Sequence, residues 1–417
     1  MNDAGIGSRA EGMNDTGIGS KVEGMNDAAT RTPPRGFPDS EFAARCAKAQ
    51  ARMAAAGLDA LLLTTEPELR YFTGYLTQFW QSPARPWFLV LPAAGKPVAV
   101  IPAIGAECMA RTWVEDIRTW SSPNPDDEGV SLLADTLTER AGPAARLGLP
   151  QGPETHLRMP LNDFRTLRAR LPEVEIRDAT DIVRNLRMVK SELEIAKTAY
   201  ICDLVSEVFE ALPDLLAVGM TELDVFRTFK IECLRRGADD VAYLVGGAGP
   251  GGVSDIISPP TPRAIEAGDV MILDTGAVFD GYYSDFDRNY AFGHADDAVR
   301  RAYDVVYEAT EAGLETARPG ATCEEVYAAM QAVLDRGGAL GNDVGRLGHG
   351  LGMQLTEWPS NMPGDLTRLE PGMVLTLEPG MTFAPGRVMV HEENVVIREA
   401  GPQLLTRRAP PALPIIG

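Results

Sequence analysis

An internal duplication constrains the fold of this chain more than any other feature of its sequence. Residues 203–238 align with residues 304–339 at an offset of 101 without gaps, and eleven of the 36 aligned positions are identical. Both copies predict a helix, a glycine turn, a threonine N-cap and a second helix that ends at a glycine. Because duplicated units bury their apolar faces against each other, we expect the two halves to pack about a pseudo-two-fold axis.

The strands that follow the two helical pairs match as well, at an offset of 104. EAGDVMILDTG (266–276) aligns with EPGMVLTLEPG (370–380). Asp274 therefore corresponds to Glu378, and each acid ends an apolar strand just before a glycine turn. In halves related by a pseudo-two-fold axis, such equivalent acids face each other across one shared site.

The chain is predicted to contain three segments. Residues 1–33 carry a polar twelve-residue repeat that buries too little apolar surface to fold, so we expect a disordered tail whose deletion changes neither stability nor activity. Residues 34–184 alternate predicted helices and strands and form an α/β domain. Residues 185–417 contain the duplication and form a second domain. Within it, the glycine-rich stretch 245–254 is predicted to be a mobile loop at the edge of the site, since no GK[ST] follows it.

Composition excludes several function classes. The 39 basic and 59 acidic residues give a net charge of −20, which argues against binding to nucleic acid or to an anionic membrane. Prolines and a lysine interrupt the most apolar stretch, 86–106, so no membrane-spanning helix is predicted. Five scattered cysteines and an N-terminus without a secretory apolar run are typical of a cytoplasmic protein.

The segment LDTGAVFDGYYSDFDRNY predicts a β-hairpin with several acids on one face. Asp280-Gly281 is a preferred dipeptide for a two-residue hairpin turn. In that register Asp274 lies opposite Asp287 and diagonal to Asp285. Three carboxylates on one buried face repel each other unless cations compensate, so the hairpin predicts metal binding.

Further candidate ligands lie in the second half. His349 stands between two glycines, which let the backbone approach a ligand closely. Alternation of apolar residues does not choose between Glu392 and Glu393 on the strand VMVHEENVVI. The candidate set is therefore Asp274, Asp285, His349, Glu378 and either Glu392 or Glu393. Four carboxylates and a neutral imidazole balance two divalent cations, as in a two-metal hydrolytic centre, and this donor set admits Mn, Zn, Co or Fe.

These motifs resemble the family of methionine aminopeptidase, Xaa-Pro aminopeptidase, prolidase and creatinase, which share the pita-bread fold. The pieces that carry the resemblance are DTG…GYYSDFDR, GHGLG, LEPG and HEENVVI, in this order, within residues 37–417. The resemblance implies an α+β fold, with a creatinase-type α/β domain before a pita-bread domain, and a homodimer in which the first domain caps the partner's site. It implies the metal ligands Asp274, Asp285, His349, Glu378 and Glu392. It also implies that Glu378 shuttles a proton.

The sequence departs from the family around the substrate. The peptidases carry a histidine seven residues after the histidine ligand, where this chain has Thr356, and another where Ile257 stands. Asp287 occupies a position that is usually threonine. We therefore expect a retained metal site, weak activity on Xaa-Pro dipeptides and faster turnover of another small substrate, with Asp287, Thr356 and Glu357 as candidates for substrate recognition or proton transfer.

Three functions are consistent with these observations. The leading hypothesis is a dinuclear metal-dependent hydrolase that cleaves an amide beside a small or prolyl residue of a small peptide. A second is a metal-dependent hydrolase or lyase of a small metabolite on the same fold. A third is a non-catalytic binding protein, which the retention of all five ligand positions disfavours.

Overall fold

A six-stranded mixed sheet organises the N-terminal part of the computed structural model, which describes residues 32–341 and 344–417. The strands are β1 (Ala60–Leu63), β2 (Phe88–Pro92), β3 (Val98–Pro102), β4 (Asp116–Trp120), β5 (Arg146–Leu149) and β6 (Glu175–Asp178). The helices are α1 (Asp39–Ala56), α2 (Glu66–Thr73), α3 (Ala106–Met109), α4 (Val130–Ala141), α5 (Leu161–Arg170) and α6 (Thr180–Met188), and 3-10 turns cover Gln78–Gln81 and Ala103–Gly105. The strand order is β4-β3-β2-β1-β5-β6.

Alternation along β1 explains the layers of this domain. Leu61 and Leu63 pack with residues of α1, α2 and α6, whereas Ala60 and Leu62 pack with residues of α4 and α5. Because successive side chains of a strand point to opposite faces, a fully apolar strand needs helices on both sides. The predicted α/β domain is therefore a sheet between two helical layers.

The remainder of the described chain contains the duplicated frame. Its helices are α7 (Glu192–Leu215), α8 (Glu222–Arg236), α9 (Asp297–Thr316) and α10 (Cys323–Arg336). Its strands are β7 (Asp240–Pro250), β8 (Asp269–Phe279), β9 (Tyr282–Tyr283), β10 (Phe286–Phe292), β11 (His349–Gly350), β12 (Glu357–Ser360), β13 (Val374–Leu377), β14 (Gly380–Ala384), β15 (Arg387–Val390), β16 (Glu393–Arg398), β17 (Gly401–Leu404) and β18 (Ile415–Ile416). One sheet runs β18-β10-β8-β7 with β9 on β8, a second runs β12-β11-β13-β16-β17, and β14 pairs with β15.

The two helical pairs repeat each other in detail. Thr221 and Thr322 cap α8 and α10, and each forms a reciprocal capping box with the acid three residues later. Each threonine also forms an isolated bridge to the segment before the matching strand, Thr221 to Ala264 before β8 and Thr322 to Arg368 before β13. The two copies therefore share their helix caps and the bridges that lead into their strands, which confirms the predicted duplication.

The β8–β10 hairpin has the predicted register. Asp274 pairs with Asp287, and Asp280 and Gly281 turn the chain with φ of 46° and 79°. Two consecutive left-handed residues are the signature of the type I′ turn that this dipeptide favours. The local turn chemistry therefore sets which acids share a face.

The prediction of a loop over 245–254 is wrong for its first six residues. Residues 245–250 belong to β7, which pairs along β8. A Cβ at Gly246 would lie 2.0 Å from the carbonyl oxygen of Ile272, and its φ is 126°. The glycines therefore permit a close approach of two strands rather than mobility.

The two parts of the chain meet close to the predicted boundary. Helix α6 runs across the boundary drawn between residues 184 and 185, and α7 begins after Ser191, which forms the predicted capping box with Glu194. Arg70 of the N-terminal part donates to the backbone oxygens of Gly281 (2.7 Å) and Met353 (3.0 Å). Residues 35–417 form one compact unit. Across the described ranges, no helix is long and apolar enough to cross a membrane.

Candidate metal centre

Three of the predicted ligands converge where the two halves of the catalytic domain meet. One donor atom each from Asp285, His349 and Glu392 lies within 4.8 Å of the others, and all three residues are buried. Asp285 immediately precedes β10, His349 opens β11 and Glu392 immediately precedes β16. The cluster therefore draws on both halves of the duplication.

The two equivalent acids complete this cluster. Glu378 Oε2 lies 4.0 Å from His349 Nε2, and Asp285 Oδ2 lies 3.3 Å from the same nitrogen. Burial, and after it the charge of Asp274, raises the pKa of Glu378 and of Asp285. All five predicted ligand positions thus lie around one site.

Two carboxylates of the cluster each keep one oxygen without a partner, which suits a cation site. Oδ1 of Asp274 and Oε1 of Glu392 have no hydrogen-bond partner among the described residues. Burial raises the pKa of Asp274 to about 6, and burial followed by the charge of Asp274 raises that of Glu378 to about 8. Burial likewise raises the pKa of Glu392 well above its ordinary value. Divalent cations would supply the missing positive charge, so the residues present fit a metal centre.

His349 is held as a neutral ligand. Its Nδ1 lies 2.9 Å from the carbonyl oxygen of Gly350, which directs Nε2 towards the cluster. Burial and then the charge of Arg346 lower its pKa to about 4. A Cβ at Gly348 would lie 2.2 Å from the carbonyl oxygen of Thr376, so glycine is needed to place the histidine on this strand.

Hydrogen bonding separates Glu392 from Glu393. The Glu393 carboxylate accepts from Arg288 (3.0 Å) and from Arg408 (3.0 Å), and these cations outweigh burial and lower its pKa. Glu392 lacks such partners and faces Asp285 and His349. Of the two alternatives that the sequence left open, only Glu392 is available to a metal.

Two polar side chains brace the halves behind the cluster. Asn394 accepts from the backbone N–H of Asp285 (3.0 Å) and donates to the backbone oxygen of the same residue. Arg288 donates to the backbone oxygens of Asp287 (2.7 Å) and Glu392 (2.8 Å). These bonds fix the distance between ligands that come from different halves.

The other predicted site residues lie in different surroundings. Asp287 is buried beside Asp274 and accepts from Asn289 (3.1 Å), while its Oδ1 has no partner in the described part of the chain. The Glu357 carboxylate is bound by Arg187 (2.5 Å) and Lys190 (3.1 Å). Burial would raise the pKa of Glu357, but these two cations outweigh it and hold the pKa at about 2. A carboxylate so strongly held as an anion is poorly suited to donate protons near neutral pH.

The two residues that stand where the peptidases carry histidines differ in their exposure to solvent. Ile257 is 76% exposed in a turn capped by Asp255. Thr356 is half-buried, and its Oγ1 lies 3.4 Å from Nη2 of Arg346. Sequence reasoning missed Arg346, although a cation three residues before the histidine ligand was a readable signal. It also missed Tyr243, whose side chain hydrogen-bonds to Asp274.

Comparison with known proteins agrees with this arrangement. The model of metallopeptidase family M24 matches residues 196–399, and that of the creatinase/prolidase N-terminal domain matches residues 45–189. A relative from Mycobacterium tuberculosis, named probable dipeptidase PepE, is 32% identical over 365 residues, which cover 87% of this chain and 93% of the relative. The chain belongs to metallopeptidase family M24. As an M24 protein it is a metal-dependent hydrolase, which confirms the family, the fold class and the reaction class that the motifs predicted.

Two solved structures share the fold over about nine-tenths of this chain. The crystal structure of dipeptidase PepE from Mycobacterium ulcerans superposes with a TM-score of 0.80 at 29% identity and covers 91% of this chain and 99% of that one. A prolidase from Thermococcus sibiricus has the same TM-score at 24% identity and covers 90% of this chain and 99% of that one. The Xaa-Pro dipeptidase of Pyrococcus furiosus is 31% identical over 242 residues, which cover 56% of this chain and 67% of the relative.

Proposed function

We propose that this M24 protein is a dinuclear metal-dependent peptidase that hydrolyses the amide of a small peptide and discriminates against prolyl dipeptides. The observation that carries the proposal is the cluster of Asp285, His349 and Glu392, with donor atoms within 4.8 Å of one another and with Asp274 and Glu378 beside it. The name of the mycobacterial relative, probable dipeptidase, supports the substrate class.

The five ligand positions would hold two divalent ions, which the four carboxylates balance in charge. When bound, such ions act as a Lewis acid on an amide carbonyl and lower the pKa of water. The protein itself fixes the ligands: Asn394 holds the strand at Asp285, and the Gly350 carbonyl orients His349. This bracing keeps the site in one geometry before substrate binds.

Among the proposed ligands, Glu378 is more exposed than Asp285 and His349, so a substrate can reach it. Its side chain is 24% exposed, whereas those of Asp285 and His349 are 6% and 5% exposed. A carboxylate at the open side can accept a proton and deliver it to the leaving amine nitrogen. This position supports the proton-shuttle role that the resemblance implies for Glu378.

The two replaced histidines beside the metal site support a second candidate function. Thr356 and Ile257 replace two histidines of the peptidases, and loss of one transition-state donor typically lowers the rate by about 10²–10³. A metal-dependent hydrolase or lyase of a small metabolite would not need these donors. This candidate rests on the replacements alone.

A substrate panel tests both candidates. The metal-loaded enzyme is assayed with Xaa-Pro dipeptides, with dipeptides lacking proline and with small amides and sulfonium compounds. We expect kcat/KM in the usual enzyme range of about 10⁴–10⁸ M⁻¹s⁻¹ for a non-prolyl dipeptide and a much lower value for Xaa-Pro. Turnover confined to small metabolites would instead establish the second candidate, and Xaa-Pro turnover inside that range would show that the histidines are dispensable.

Three further expectations stay predictions. They are metal ions drawn from Mn, Zn, Co or Fe, with manganese among them, a homodimer whose N-terminal domain caps the partner's site, and a cytoplasmic location. Metal analysis of purified protein and its mass in solution test the first two directly.

A further inference from the structure

The C-terminal segment, residues 405–417, connects the two sheets that carry the predicted metal ligands. It follows β17, which pairs with β16, the strand that begins directly after Glu392. At its start, Leu405 donates its backbone N–H to the carbonyl oxygen of Asn394 at 2.8 Å. Residues 415–416 form β18, which pairs in parallel with the end of β10, the strand that begins directly after Asp285. The segment is therefore bonded to a ligand-bearing strand of each half.

Arg408 joins this segment to α9 and to the chain around one ligand. Its guanidinium carbon lies 3.9 Å from the centre of the Tyr307 ring, and its Nε donates to Glu311 at 2.8 Å, so α9 holds the group in place. Its Nη1 donates to Glu393 at 3.0 Å and lies 2.9 Å from Nε2 of His391. Arg408 thus contacts both chain neighbours of a predicted ligand. Because α9 anchors the guanidinium, its contact with His391 does not depend on the charge of Glu393.

The buried ring of His391 has a defined orientation and a defined tautomer. The Thr310 hydroxyl donates its single proton to the carbonyl oxygen of Val306 at 2.9 Å, so it can only accept from Nδ1 of His391, which lies 2.9 Å away. Nδ1 therefore carries the ring proton, and Nε2 offers its lone pair to Arg408. Both ring nitrogens are held by the protein, one by α9 and one by the C-terminal segment.

The backbone of His391 lies beside both glutamate ligands of the proposed centre. His391 directly precedes Glu392, and its backbone N–H donates to the carbonyl oxygen of Pro379 at 3.1 Å. Pro379 in turn directly follows Glu378. A ring that is fixed at both nitrogens therefore fixes the spacing between two ligands from different parts of the chain. Outer contacts of this kind orient the ligands of a metal ion and tune its affinity.

We propose that Arg408 is a positioning residue of the metal centre and that, through His391, it raises the affinity of the site for divalent cations. This role rests on the metal centre of the proposed function and does not depend on which amide is cleaved. A guanidinium repels a divalent cation, so removal of Arg408 would strengthen cation binding if charge alone mattered. Positioning predicts the opposite sign, a loss of affinity when Arg408 is removed.

Titration calorimetry of the chelated full chain with Mn²⁺ measures that sign. We expect Arg408→Ala to raise Kd for Mn²⁺ about 10- to 100-fold, the usual effect of losing a contact behind a metal ligand. Arg407→Ala is the matched control, because it removes the same charge from the neighbouring position. Its Kd should stay within about threefold of wild type, because ion pairs at the surface contribute little. The Arg407 guanidinium pairs with three acids of α7, Asp203, Glu207 and Glu210. An unchanged or lower Kd for Arg408→Ala would overturn the proposal.

Two substitutions at Thr310 decide the question if Arg408→Ala does not fold. Thr310→Val keeps the shape of the side chain but removes the acceptor for Nδ1–H of His391, so Kd for Mn²⁺ should rise about tenfold. Thr310→Ser keeps the hydroxyl and should bind Mn²⁺ as wild type does. A merely structural role would lower the free energy of unfolding of the chelated protein and leave Kd unchanged. Equal Kd values for the valine and serine variants would refute the path through His391.

Failure of the positioning role and failure of the proposed function give different results. If wild type binds Mn²⁺ but cleaves no peptide, and Kd rises in Arg408→Ala, the positioning role stands and the peptidase proposal falls. If wild type binds Mn²⁺ and cleaves peptides while Arg408→Ala keeps its Kd, the positioning role alone falls. Wild-type protein that binds no divalent cation would overturn both.

Discussion

The two halves of the catalytic domain share a backbone frame but place their acids in different surroundings. Asp274 lies inside the eleven-residue strand β8, which pairs with β7 on one edge and β10 on the other. The corresponding Glu378 follows the four-residue strand β13, and its side chain is 24% exposed. The longer glutamate on the shorter strand reaches the open side of the site. The duplication therefore conserves the scaffold, while the two equivalent acids stand at different points of their strands.

The second half also carries charged groups that connect the site to the N-terminal domain. Glu357 is bound by Arg187 of α6, and Arg346 faces Glu154. These ion pairs join the second half to the N-terminal part of the chain.

The largest expected effect comes from one predicted ligand in each half, Asp285 and Glu392, with Glu393 as the control beside Glu392. Asp285→Asn and Glu392→Gln should each lower bound metal below two ions per chain and reduce turnover by more than roughly 10²–10³, the cost of losing a single electrostatic contact. Glu393→Gln, one residue away, should keep its metal because its carboxylate faces Arg288 and Arg408. Elemental analysis and kinetics of the folded variants provide the measurement. Retention of two ions in Glu392→Gln, or their loss in Glu393→Gln, would reverse the assignment.

The next largest effect is the loss of stability when the buried carboxylate of Glu357 is removed. Glu357→Gln should lower the free energy of unfolding by about 3–5 kcal/mol, because it leaves Arg187 and Lys190 buried without a counter-charge. Urea unfolding of chelated protein at pH 7 measures this difference. A cost below about 1 kcal/mol would show that the cations find other partners.

The pH dependence of that cost has a definite sign. The folded-state pKa of Glu357 is about 2, below its ordinary value of 4.5, so the contribution is present above pH 4.5 and is lost as the pH falls towards 2. The difference between wild type and Glu357→Gln should therefore shrink between pH 5 and pH 3. A difference that grows on acidification would contradict the ion pairing.

The smallest expected effect is the loss of stability when a helix N-cap is removed, and it tests whether the matching caps stabilise the two halves equally. Thr221→Ala and Thr322→Ala each remove an N-cap that accepts a hydrogen bond, at 3.1 and 3.2 Å respectively. Each should cost about 1 kcal/mol of unfolding free energy, and the serine variants should cost less. Denaturation midpoints of the four variants measure the effect. Costs that differ by more than about 1 kcal/mol would show that the frame is not equally stabilised in both halves.

Local chemistry made much of this fold predictable. The Asp280-Gly281 turn fixes the register of its hairpin, and the capping threonines mark the repeated helices, because each signal acts over a few residues. Local composition gave the wrong prediction for the end of β7. A glycine-rich stretch is typical of a loop, but here the glycines let two strands approach closely.

Two features of the candidate site could not be predicted from the order of residues in the sequence. Both Glu392 and Glu393 are buried, so alternation gave no choice, and only the positions of Arg288 and Arg408 separate them. The approach of Glu154 to Arg346 joins segments far apart in the chain, and side-chain contacts of this kind leave no periodic signal. The predicted ligands lie in contiguous motifs, whereas the contact between Glu154 and Arg346 joins residues that only the fold brings together.

The division of the ligands between the halves has a thermodynamic consequence. Asp274 and Asp285 come from one copy, and His349, Glu378 and Glu392 come from the other. A cation that needs both copies in place binds the native state and has little affinity for the unfolded chain. Its binding then adds about 2.7 kcal/mol to the free energy of unfolding when the free ion is at 100 times its Kd. The unfolding midpoint of this protein therefore depends on the concentration of free metal, and midpoints can be compared only when that concentration is the same.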